Sequence, residues 1–141
     1  YDVSPLILSQ AGKEYTSVVA TAPGATVTLN VLDQTLLYHT ILASNNFIVD
    51  FGGSDSVTLN NALEVGRSIT VSYYYVNGPS AYGCSSVRID GIDQPIYWKN
   101  VSTPSPVARA VNVYTFTIIK TTDNEFEVYG NLNDSKSINY H

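Results

Sequence analysis

The chain has 141 residues, a formal charge of −5, 13% charged residues and one cysteine. That length suits one domain burying roughly 68% of its unfolded surface, with no need of a metal or a disulfide to hold it together. An acidic balance without a Lys/Arg cluster argues against nucleic acid and against an anionic membrane surface, and no apolar run approaches the ~18 residues of a membrane-spanning helix. Ser, Thr and Asn supply 40 of the 141 residues, so the surface is polar through hydroxyls and amides, as in many extracellular and virion-surface β-proteins. The chain opens on Tyr1 rather than Met and without a signal-peptide pattern, which suggests a processed or trimmed product.

Residues 1–24 read as an N-terminal arm or edge strands. Leu6-Ile-Leu8, after Pro5, suits an edge strand or an arm onto a neighbouring subunit, and Thr16 to Ala20 a second short strand before the Pro23-Gly24 turn. Residues 25–130 read as the main domain. Ala25 to Leu32 alternates, with Val27, Leu29 and Val31 on one face. Thr35 to Ala43 fits a short helix or a buried strand, and its β-branched surroundings favour the strand. Phe47, Val49 and Phe51 alternate with Ile48 and Asp50 up to Gly52-Gly53. Val57 to Leu63 reads as a short strand and a loop.

Ser68 to Val76 is a strong strand with Ile69, Val71, Tyr73 and Tyr75 opposite Thr70, Ser72 and Tyr74. Asn77-Gly78-Pro79 is a turn in which Gly78 is free to take a positive φ. After a loop of small residues to Ser86, Val87 to Asp90 reads as a strand, Gly91 to Gln94 as a turn, and Ile96 to Lys99 carries Trp98. Asn100 to Ala110 is a loop crossing the fold. Val111 to Lys120 is almost entirely β-branched and aromatic, so it is expected as the central strand, with Tyr114, Phe116 and Ile118 inward and Thr115 and Thr117 on the other face. Thr121 to Asn124 turns it into Glu125 to Tyr129, completing a hairpin. Residues 131–141 read as a C-terminal tail or a strand onto a neighbour. Short strands between turn signals imply an all-β, antiparallel β-sandwich of jelly-roll type.

Catalytic constellations fail for want of partners. Cys84 is expected in a loop, and His39 and His141 are the only histidines, neither in a supporting motif. Asp50, Asp55, Glu64, Asp90 and Asp93 are scattered, mostly at turns where Asp caps backbone amides. No pair is singled out for glycoside hydrolysis, and Asp90-Gly-Ile-Asp93 lacks the further oxygen ligands of a calcium loop. No catalytic residue, cofactor or metal is therefore expected. Asn100-Val-Ser102 and Asn133-Asp-Ser135 match the glycosylation triplet, a chance match in a chain this rich in Asn and Ser.

The aromatics carry more. Among eleven tyrosines, Tyr74 must face opposite Tyr73 and Tyr75, so at least one ring lies on a second surface. Tyr74, Tyr82, Tyr97 and Trp98 are the candidate contact residues. A core or rim role ranks first for them, a subunit interface second and a glycan platform third.

Asn46-Phe-Ile-Val-Asp-Phe51, Val57-Thr-Leu-Asn-Asn61, Val65-Gly-Arg-Ser-Ile-Thr-Val71 and Asn77-Gly78 are followed by Ile89-Asp-Gly91, a lone Trp98 and Val113 to Lys120 with a closing aromatic strand. In that order, over about residues 45–130, the chain resembles β-rich structural proteins of tailed bacteriophages, particularly marine ones, found in tail fibres or related appendages. It departs from their pattern after Trp98, where Lys99-Asn-Val-Ser102 replaces a Gly-rich turn. The resemblance implies a non-enzymatic, extracellular virion-surface component, either a tail-fibre or appendage domain or a capsid decoration. Its expected partners are copies of itself, most often as a homotrimer, other virion proteins and a host-surface glycan. The alternative is a carbohydrate-binding module of a secreted bacterial protein; an enzyme ranks last.

Overall fold

Alternation of side chains decides which face of each strand turns inward, and the strands with the cleanest alternation build the centre of the molecule. The computed structural model describes residues 15–137, which contain β1 (Thr16–Val19), β2 (Thr26–Asn30), β3 (Leu36–His39), β4 (Phe47–Gly52), β5 (Ser68–Val76), β6 (Cys84–Ile89), β7 (Ile92–Gln94), β8 (Ile96–Trp98), β9 (Ala110–Thr122) and β10 (Glu125–Ser137). They form a six-stranded sheet, ordered β1-β3-β5-β9-β10-β8, and a four-stranded sheet, ordered β2-β4-β6-β7. The two pack as an all-β sandwich around a shared apolar core. As expected, β9 is central, between β5 and β10, with Tyr114, Phe116 and Ile118 buried and Thr115 and Thr117 half-buried on the outer face. Leu6-Ile-Leu8 lies outside the described residues.

The all-β sandwich is as expected, but its strand pairing is mixed rather than wholly antiparallel. From β1 to β6 the chain alternates between the sheets, and each strand from β3 on pairs in parallel with the strand two before it. A parallel neighbour needs a crossover, and here the crossover is the facing strand of the opposite sheet. Antiparallel pairing returns with β7 on β6, β9 on β5 and β10 on β9, while β8 closes the far edge in parallel with β10. Both sheets are therefore mixed.

Three local expectations also change. Val57 to Leu63, expected as a short strand and a loop, instead holds a single helical turn, α1 (Leu59–Ala62), with the Thr58 side chain capping the Asn61 amide. The Asp90 carboxylate accepts from the Leu59 and Asn60 amides at 2.7 and 3.1 Å, so a residue 30 positions away completes the cap. The turn read at Gly91 to Gln94 lies at Asp90-Gly91, both at positive φ (52° and 83°), which frees Ile92–Gln94 to pair as β7. Gly78 is not at positive φ; it is small because a Cβ there would meet Leu42 Cδ1 at 3.0 Å. β10 runs to Ser137, carrying the hairpin into the stretch read as a tail or strand.

Candidate functional site

Inside the sandwich, aromatic rings make a continuous ladder. Tyr73, Tyr75, Tyr114 and Phe116 stack in sequence at centroid spacings of 5.6, 5.9 and 5.7 Å. Phe47 from the other sheet meets Tyr73 and Tyr75 edge-on at 5.4 and 5.0 Å, and Phe51 meets Phe116 at 5.4 Å. Each buried phenol has a partner: Tyr73 with His39 Nδ1 at 2.9 Å, Tyr75 donating to the Tyr82 carbonyl at 2.7 Å, and Tyr114 accepting from the Cys84 amide at 3.0 Å. Burial raises the pKa of all three, that of Tyr114 to about 12. These tyrosines are core.

The residues with catalytic chemistry are held by structure. Burial pushes the Cys84 thiol up to about 12, and it donates to the Ser86 carbonyl, so it is a poor nucleophile. Burial also lowers the His39 pKa. Asp50 accepts from the Gly91 amide, Asp55 from Asn30, Asp90 from α1, and Asp93 and Glu64 pair with Arg88 and Arg67. No cluster of His, Cys, Asp and Glu that could hold a metal occurs among the described residues. His141 lies outside them.

The outer face of the six-stranded sheet is different. Register places Val18, Tyr38, Tyr74 and Val113 side by side across β1, β3, β5 and β9, with the Tyr38 and Tyr74 rings 5.6 Å apart. Farther along, Tyr97 of β8 lies beside Tyr129 of β10, their rings 5.3 Å apart and tilted by 32°. They flank an open groove of about 400 Å³ whose lining includes Thr115, Thr117, Asn131 and Lys99. Tyr129 donates to Glu127 at 2.8 Å, and that bond is the main reason its pKa is raised.

Of the four contact candidates, Tyr74 and Tyr97 are brought to this outer face. They stand three strands and four residues apart, roughly 20 Å at a strand spacing of ~4.8 Å and a rise of ~3.3 Å per residue. Tyr82 is not placed with them, and Trp98 borders the groove while it packs against the core. Trp98 turns inward over Gly130, and its ring lies 6.0 Å from that of Tyr114 and 6.2 Å from that of Phe116. Tyr82 is half-buried against the core, and its backbone bonds Tyr75 and Asn77.

Tyr129 and Asn131 were not singled out from sequence. Their signal was present, because an inward Phe126 and Val128 turn residues 127, 129 and 131 outward. The pairing of Tyr97 with Tyr129 had no local signal. No family model, curated protein or solved structure matches the chain.

Proposed function

We propose that the chain is a non-enzymatic structural component of a tailed-phage virion, exposed at the particle surface as a tail-fibre or appendage domain or a capsid decoration, and assembled with copies of itself. The observation that carries assembly is the apolar row of Val18, Tyr38 and Tyr74, in which Val18 is 65% exposed on an otherwise hydroxyl-rich face. Surface Tyr beside aliphatic side chains suits the centre of a protein contact. Placement on a virion rests on the resemblance over residues 45–130. Immunogold electron microscopy of intact particles tests it: label on an appendage or the capsid supports the reading, and label confined to the soluble fraction of the lysate overturns it.

The second reading, a monomeric carbohydrate-binding module of a secreted bacterial protein, draws on the Tyr97/Tyr129 groove. A stable monomer in solution that binds a saccharide at that groove favours it over the first.

A further inference from the structure

We propose that the Tyr97/Tyr129 groove binds an acidic saccharide, a pyranose of the hexuronic-acid class, with the sugar ring on the two phenols and its carboxylate on Lys99. This goes beyond the surface-exposed structural role proposed above and rests on it only for biological setting, since the groove serves either reading.

The first support is the exposure of the rings. The domain buries Tyr73, Tyr75 and Tyr114 and satisfies each hydroxyl, yet leaves Tyr97 51% and Tyr129 42% exposed, side by side on an open face. An aromatic face carries partial negative charge and attracts the electropositive C–H groups on the flat side of a pyranose. Two rings tilted by 32° make a shallow trough for such a surface.

The floor supplies the second complement. Thr115 and Asn131 pair across β9 and β10, and Thr117 pairs with Tyr129, so two hydroxyls and an amide stand beside the rings. Thr117 already shares a bond with Thr70 at 3.2 Å, while the side chains of Thr115 and Asn131 make none among the described residues. A hydroxyl is a donor and an acceptor, and an amide offers two donors and an acceptor, which matches a ring bearing hydroxyls. The volume, about 400 Å³, falls within the ~300–1,000 Å³ of small-ligand sites.

Charge narrows the class. Among the described residues, Lys99 is the one charged side chain lining the groove. It follows Trp98, which pairs with Gly130, and so lies at the Asn131 end. Glu127 of β10 sits two residues beyond Tyr129, away from the Asn131 end, and is engaged by the Tyr129 hydroxyl. A lone cation suits one carboxylate, whereas a phosphate polymer needs several cations. The turn after Lys99 holds Asn100 and Val101 at φ 64° and 59°, a conformation costly for β-branched valine. Such residues cluster at ligand sites, and Val101 is 96% exposed.

The test is calorimetric titration of the full chain with an oligogalacturonate and with the neutral galactose oligomer of the same length. The expected result is saturable binding of the acidic oligomer, weakened about tenfold or more by Tyr97→Ala and by Tyr129→Ala, as for aromatic anchors. Lys99→Gln is expected to bring acidic affinity down to the neutral level, and Tyr74→Ala to leave binding unchanged. Melting curves of each variant separate lost binding from lost folding. No binding of the acidic oligomer at about 10 mM, equal affinity of the unmodified chain for both oligomers, or unchanged binding by folded Tyr97→Ala and Tyr129→Ala would each overturn the proposal. Soluble oligomers and a purified chain keep this outcome separate from particle labelling, so either can fail alone.

Discussion

Phe47 locks the two sheets together, and shortening it should show how much of the stability lies in ring-edge contacts. It is fully buried on β4 and points its edge at Tyr73 and Tyr75, with centroids at 5.4 and 5.0 Å; the Tyr114 contact is longer, at 6.3 Å. Phe47→Leu keeps most of the apolar volume but loses the two close contacts, each about 0.5–1.5 kcal/mol beyond area burial, so about 1–3 kcal/mol in all. Phe47→Ala also opens a cavity and should cost about 3–5 kcal/mol. At this chain length about 4 °C of Tm corresponds to 1 kcal/mol, so Leu should lower Tm by about 4–12 °C and Ala by about 12–20 °C. Thermal melts followed by near-ultraviolet circular dichroism, which reports the stacked tyrosines, give both numbers. A Leu variant melting within about 1 °C of the parent would refute the ring-edge contribution.

Other perturbations test separate parts of the fold. In Gly130→Ala the new Cβ would lie 2.6 and 2.8 Å from two Trp98 ring carbons, so the ring must shift at about 1–3 kcal/mol. The emission of Trp98, the sole tryptophan, should move to the red as Tm falls, and an unchanged spectrum would mean that the close packing is wrong. Asp90→Ala removes the acceptor of two α1 amides and should cost about 1–2 kcal/mol, with hydrogen exchange accelerating at Leu59 and Asn60; unchanged exchange would deny Asp90 its capping role. Alkali should unfold the domain. Cys84 and Tyr114 keep their protons to about pH 12 when folded, against ordinary values of 9.0 and 10.0, and burial raises Tyr73 and Tyr75 in the same direction. The unfolded chain therefore releases protons first, and stability is full below about pH 9 and lost as pH rises toward about 12. Urea midpoints should be level from about pH 7 to about pH 8.5 and fall steeply by about pH 11; a flat profile would mean that these groups are solvated.

Strand identity was legible because it is written locally. Ser68 to Val76 and Val111 to Lys120 alternate so strictly that their inward faces follow from the period alone, and the structure buries Val71, Tyr73, Tyr75, Tyr114, Phe116 and Ile118 accordingly. Pairing direction was not legible, because whether the loop after β2 returns to the same sheet or crosses to the other depends on the whole stack of strands. α1 was missed for a related reason: Leu59–Ala62 is a weak helix former, and half of its cap comes from Asp90. The outward positions of Tyr74 and Tyr97 were open to sequence reading, whereas the inward turn of Trp98 depends on the bare backbone of Gly130 on a distant strand. The groove joins β8, β9 and β10 through pairings of which only the hairpin is local.

Self-assembly through the outer face of the six-stranded sheet is most directly tested by the mass of the purified chain in solution. Light scattering after size exclusion should give about three times the 15.3 kDa chain mass, the homotrimer that the resemblance to fibre proteins implies. Tyr74→Asp, which sets a charge within the Val18, Tyr38 and Tyr74 row, should convert it to monomer, while Tyr97→Ala should leave the mass unchanged. A parent chain that elutes as a stable 15.3 kDa monomer would contradict the proposed assembly.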